Sequence, residues 1–144
     1  MLNRREKLIY LAGIIDGEGS IIIWSNVGPN KTRGKYNLKV YVSSTDKILI
    51  DWIQENFGGH TYTNNAPSRK QHWKTSYLWV IDRPKTLEFL KEIHPFLIIK
   101  KERCEIAIKF RETFENRKRP VPQDIIDMRI FYVKQMHDLN SRGR

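Results

Sequence analysis

Two carboxylates, Asp16 and Glu18, stand two residues apart in the run Leu11-Ala12-Gly13-Ile14-Ile15-Asp16-Gly17-Glu18-Gly19. Their setting is unusual. Leu8, Ile9, Tyr10, Leu11, Ala12, Ile14 and Ile15 leave the preceding helix almost no polar face, so it reads as buried all round. Gly13 in mid-helix costs about 1 kcal/mol relative to Ala; close approach by another backbone is the physical use of such a glycine. The C-terminal end of a helix dipole is negative, so acids there are mildly unfavourable. A bound divalent cation would relieve that cost. Ser20-Ile21-Ile22-Ile23-Trp24 then reads as a strand, so a buried helix delivers both carboxylates to a strand's lip.

The other candidate groups are sparser. Cys104, the single cysteine, excludes an internal disulfide and sits among Ile106 and Ile108 as a small core residue. No cysteine–histidine cluster suggests zinc. His94 and His137 fall on helix ends or faces with no carboxylate partner suggested by spacing, and read as structural.

The elements that position these groups follow from periodicity. Helix one covers residues 4–17. Strands cover 19–27 and 35–44, joined by the turn-rich Val27-Gly28-Pro29-Asn30 and a basic tip of Lys31, Arg33 and Lys35. In 35–44, Leu38, Val40 and Val42 alternate with Asn37, Lys39, Tyr41 and Ser43, which gives one buried and one polar face. Helix two starts after Ser44 or Thr45 as N-cap, carries Ile48, Leu49, Trp52, Ile53 and Phe57, and ends at Gly58-Gly59. Residues 60–66 and 72–81 read as a hairpin. Helix three spans 84–93 and Pro95 breaks it. A longer helix over 96–115 carries Ile99, Ile106, Phe110 and Phe114, a basic linker runs to residue 122, and a last helix from 123 to about 140 aligns Ile126, Ile130, Val133 and Met136. The 144 residues make one domain, with a core at about 5–115. Hairpins between helices predict an α+β domain with one antiparallel sheet covered on one face.

Charge marks the uncovered face. The chain carries 26 basic and 16 acidic residues, a net of +10, which predicts a polyanionic partner. No acid lies between Gly19 and Thr45 or between Asn56 and Ile81, and every Asp and Glu is assigned to a helix. The four strands therefore lack carboxylates, as a sheet lying on phosphates requires. A two-stranded ribbon fits the major groove. In the first strand Ser20, Ile22, Trp24 and Asn26 share a face, and in the second Lys35, Asn37, Lys39 and Tyr41 do. For the fourth strand, His72, Lys74 and Ser76 compete with Trp73, Thr75, Tyr77 and Trp79 for the open face. The third is equally ambiguous, between Tyr62 with Asn64 and Thr61 with Thr63. Arg69 and Lys70 sit at the second hairpin tip.

Leu11 to Gly19 resembles the signature of the LAGLIDADG homing endonucleases, every position matching the pattern or a conservative variant. The order helix, two strands, helix, two strands, helices also resembles that family's core fold, αββαββα, over about residues 5–110. The motif occurs once, as in the family's single-motif members, which work as homodimers. The resemblance implies a site-specific nuclease that hydrolyses both strands of a long, near-palindromic DNA target with Mg²⁺, or Mn²⁺ in its place. It implies Glu18 as the metal ligand, joined by the backbone carbonyl of Gly17, with Asp16 closing the helix end. Ala12, Gly13 and Gly17 would form the dimer interface. His94-Pro95-Phe96-Leu97-Ile98-Ile99-Lys100 resembles the family's Pro-Phe-Leu segment before a basic residue, which implies Lys100 beside the scissile phosphate, with Lys101 the runner-up. Some relatives order water with a glutamine at the end of the second strand; here Ser43 and Ser44 stand there, and Ser44 is the candidate.

The expected partners are double-stranded DNA and a second copy of the chain, with intron RNA for the competing class, an RNA maturase or non-catalytic DNA-binding regulator on the same fold. Genes of this family travel in introns or inteins. No signal peptide or long apolar run is visible, so the expected location is intracellular, a prokaryotic cytoplasm or an organelle matrix, with no membrane partner.

Overall fold

A computed structural model describes residues 1–25, 36–65, 74–82, 84–115 and 119–141. The elements are α1 (Arg4–Glu18), β1 (Gly19–Ser25), β2 (Tyr36–Ser44), α2 (Lys47–Phe57), β3 (His60–Asn64), β4 (Ser76–Asp82), α3 (Pro84–Ile93), α4 (Lys101–Glu112) and α5 (Gln123–Ser141). The expected α+β order holds. The four strands form one antiparallel sheet in the order β1-β2-β4-β3.

Local chemistry sets the element ends. Asn3 caps α1: its side chain accepts from Glu6 N–H while the Glu6 carboxylate accepts from Asn3 N–H, both at 2.9 Å. At α2 the cap is Asp46, which accepts from Ile48 N–H, and not Thr45 or Ser44. Ser44 instead accepts from Asp46 N–H with its hydroxyl oxygen. Gly58 and Gly59 take φ of +74° and +89° to turn the chain into β3. A Cβ on Gly59 would lie 2.6 Å from the Val80 carbonyl oxygen, so only glycine fits.

Alternation sorts the sheet's faces. Ile21, Ile23, Leu38, Val40, Val42, Trp79 and Ile81 join one core with the inner faces of the helices. From α1 that core takes Leu8, Leu11, Ala12 and Ile15. Ile9, Tyr10, Gly13 and Gly17 lie on the opposite side of the same helix and are exposed. The expectation of a helix buried all round is therefore corrected: α1 is apolar on both sides, but a single chain covers only one.

Three further expectations change. The segment 96–115 is not one helix, because Pro95 sits in a 3-10 turn at His94–Phe96 and an irregular link carries the chain to α4. Ile99 is accordingly exposed, not part of a helical stripe. In α5, Ile130 is 46% exposed and the buried line runs through Arg129 and Met136. Arg129 donates from Nε to the Thr113 hydroxyl and from a terminal nitrogen to the Thr113 carbonyl, both at 3.1 Å, with its guanidinium 3.8 Å from the Phe114 ring centre. It thereby closes the end of α4 and ties α5 to it. No helix among the described residues is long and apolar enough to cross a membrane.

Candidate active site and nucleic-acid interface

The C-terminal end of α1 is held by a reciprocal clasp. The Asp16 carboxylate accepts from Ile98 N–H at 2.8 Å and Lys100 N–H at 2.9 Å. The Lys100 ammonium returns two hydrogen bonds of 2.8 Å to the carbonyls of Ile15 and Asp16. A cation on the last helical carbonyls is what the dipole and the unpaired C=O groups favour. Part of the relief expected from a bound metal thus comes from lysine. Burial lowers the Lys100 pKa, the neighbouring charge of Arg103 lowers it further, and Asp16 opposes both. Two of the ammonium's three N–H groups are engaged by carbonyls, which leaves one to point elsewhere.

Glu18 is the last residue of α1 and is exposed. Its carboxylate makes no hydrogen bond or ion pair among the described residues. Gly19 follows at once: its N–H donates to the Ile14 and Ile15 carbonyls, and a Cβ there would lie 2.7 Å from the Ile15 Cα. Glycine is therefore required where the helix passes into β1, and it fixes Glu18 at the sheet's end. Among the described residues no group of three His, Cys, Asp or Glu side chains could hold a metal ion. The donors at this corner, one free carboxylate and the Gly17 carbonyl, are all oxygen, which suits a hard divalent cation that draws its remaining ligands from elsewhere.

The expected interface residues separate. Gly13 and Gly17 are exposed, and a Cβ added to either would meet nothing within 4 Å. Ala12 is fully buried against its own chain's core and has no surface to offer a partner, so its assignment to the interface is corrected. Ile98 and Ile99, 84% and 67% exposed, add apolar surface beside the clasp. Ser44 is corrected as well. It pairs with Tyr77, which packs on the core side, and its hydroxyl oxygen is taken up by Asp46 N–H; Ser43 is the exposed hydroxyl on the open face.

Opposite residues of an antiparallel pair share a face, so the register decides what the open face presents. Ser20, Tyr41, Val80 and His60 form one row across all four strands. Trp24 lies opposite Asn37, and Ile22 opposite Lys39. Ser20, Ile22, Asn37, Lys39 and Tyr41 are half-buried or exposed, and Trp24 is 55% exposed, as the alternation predicts. The ambiguity of the outer strands is resolved: His60, Tyr62 and Asn64 of β3 and Ser76 of β4 face outward, while Tyr77 and Trp79 face the core. Lys74 is exposed just before β4. Asn26, Lys31, Arg33, Lys35, Arg69, Lys70 and His72 lie outside the described residues. Two readings fail here. Asp82 is a strand residue, so helices do not carry every acid. His94 does have a carboxylate partner, Glu105, 3.0 Å away. Cys104 is buried as expected and donates to the Leu90 carbonyl, and burial pushes its thiol pKa up to about 12.

Residues 5–94 match the LAGLIDADG-like domain family model, and the chain belongs to that family. Among curated proteins, DNA endonuclease I-CreI of Chlamydomonas reinhardtii is 28% identical over 119 residues, 79% of this chain and 68% of that protein. Two solved structures share the fold. The homing endonuclease I-CvuI, in complex with its target in the presence of calcium, has a TM-score of 0.75 at 14% identity over 98% of this chain and 85% of its own. The archaeal intron-encoded homing endonuclease I-Vdi141I, complexed with DNA, also has a TM-score of 0.75, at 16% identity over 96% and 86%.

Asp16→Ala should remove both acceptors for the 97–100 link. Unfolding in urea should show a loss of ~2 kcal/mol, the scale of a hydrogen bond to a charged group, with an unchanged slope. An unaltered midpoint would mean that the link is held by other contacts.

Proposed function

We propose that this chain is one half of a site-specific DNA endonuclease that hydrolyses both strands of a duplex with a divalent cation, Mg²⁺ being the natural choice. The observation that carries the reading is the corner where α1 meets β1. An exposed carboxylate, Glu18, without a partner among the described residues, ends α1 at the edge of an open sheet face, and Lys100 is held on the carbonyls of Ile15 and Asp16, three and two residues before Glu18. The family relationship and the nuclease identity of I-CreI support it.

Each residue has a role. Glu18, with the Gly17 carbonyl, holds the cation, which when bound neutralises phosphate charge and activates water. Lys100 keeps its remaining N–H for the scissile phosphate and stabilises charge that grows in the transition state. Asp16 positions Lys100 by holding its backbone. Asn37, Lys39 and Tyr41, with Ser20, Ile22 and Trp24, face the groove and read base edges. The basic residues Lys31, Arg33, Lys35, Arg69, Lys70 and His72, which lie outside the described residues, are with Lys74 the candidates for holding phosphates without regard to sequence.

One Glu18 is too few ligands for a metal, and α1 leaves Ile9, Gly13 and Gly17 uncovered, with Tyr10 half-exposed beside Trp52. Both facts support a two-fold homodimer through α1. Glycines four residues apart on one helical face let a second backbone come close, and the symmetry brings two Glu18 side chains together with a duplex between two open sheets. DNA phosphates then supply the missing oxygen ligands.

Two experiments test this reading. Glu18→Gln keeps shape and removes charge, so DNA binding in EDTA should be unchanged while cleavage in Mg²⁺ is abolished. Wild-type cutting by this variant would remove Glu18 from the metal site. A Cβ at Gly13 meets nothing within 4 Å outside its own stretch of helix, so the fold of Gly13→Val should hold, but the variant places bulk on both sides of the two-fold contact. Overpacking costs ~1–3 kcal/mol per site. In sedimentation at micromolar concentration the wild type should be dimeric and the variant monomeric and inactive. A dimeric, fully active Gly13→Val protein would refute the interface.

A further inference from the structure

We propose that Asp82 is a specificity residue: it accepts from a cytosine in the major groove, and with Lys39 it reads one G·C base pair in each half of the target. The inference rests on the DNA-reading role of the open sheet face proposed above.

Asp82 is the last residue of β4 and, among the described residues, the only carboxylate within the strands. Its register partner is Lys39 of β2, so both side chains rise from the same face, about 4.5–5.5 Å apart at Cβ. Such neighbours would be expected to pair with each other. They do not: Asp82 makes no ion pair or hydrogen bond among the described residues, and the Lys39 ammonium lies 5.9 Å from the ring centre of Tyr41 instead. A half-exposed carboxylate without a partner among the described residues thus stands on the outward face of a protein of net charge +10.

Against a phosphate such a group would only repel. Against base edges it has a use. Cytosine shows the major groove a single amino donor, for which a carboxylate is the matching acceptor, and the paired guanine shows O6 and N7, which a lysine fits. The two edges adjoin in one base pair, as Asp82 and Lys39 adjoin on the sheet. Ile22 of β1 completes their row. It lies four residues beyond Glu18, ~13 Å along a strand, or about four base pairs at ~3.4 Å each. The pair read by Asp82 and Lys39 therefore sits about four base pairs from the position of Glu18 in each half-site.

The test is selection of bound duplexes from a randomised DNA library in EDTA, with wild type, Asp82→Ala and Asp82→Asn, at two salt concentrations. Wild type should enrich cytosine at one position repeated symmetrically about the site's centre. Asp82→Ala should lose roughly 5- to 150-fold of discrimination there and keep every other preference and the salt slope. Asp82→Asn should move that position toward adenine, whose N6 and N7 an amide can accept from and donate to. An unchanged profile in both variants, or uniformly tighter binding of all sequences by Asp82→Ala, would overturn the assignment while leaving the reading sheet intact. A wild type that enriches no sequence would overturn both.

Discussion

The clasp between Asp16 and Lys100 is the contact on which the rest of the site depends. A helix that ends inside a sheet domain has two problems: carbonyls without donors, and a carboxylate at the negative end of a dipole. Lys100 addresses both. Its ammonium donates to the Ile15 and Asp16 carbonyls while Asp16 accepts from the backbone of residues 98 and 100. Because the bonds run in both directions, neither residue can shift without the other. The cation that closes the helix is thereby held on the carbonyls of Ile15 and Asp16, within the helix turn that ends in Glu18.

The same economy of cover shapes the remainder. One layer of helices on one face of a four-stranded sheet leaves the other face to whatever binds there. Only one side of α1 is covered by its own chain, though both sides are apolar. The two uncovered surfaces meet at the α1–β1 corner, where Gly19 allows the helix to pass into the strand without a gap. A partner helix on one surface and a duplex on the other would both bear on Glu18.

Much of this was legible in the sequence. Strict alternation in β2 identified its open face, and the order of helices and strands identified the architecture. Most of what was missed comes from contacts between residues distant in sequence; Ser44, whose contact is local, is the exception. Eighty-four positions separate Asp16 from Lys100, so the helix end looked as though it needed a metal. Ala12 reads as an interface residue only while the helix's orientation is unknown. Ser44 looked available until its hydroxyl was found at the start of α2. Arg129 sat unnoticed among apolar neighbours because its partner, Thr113, lies on another helix. One signal was within reach: counting back by twos from Asp82 keeps it off the face of Tyr77 and Trp79, had Trp79 been taken as core.

Native-state hydrogen exchange at residues 98–100 tests the clasp most directly. Ile98 and Ile99 are both exposed, yet only the Ile98 amide is held by a carboxylate. The account predicts that the amides of Ile98 and Lys100 exchange roughly 10- to 150-fold more slowly than that of Ile99, as a charge-assisted bond of ~1.5–3 kcal/mol requires. Equal, fast exchange at all three would contradict it.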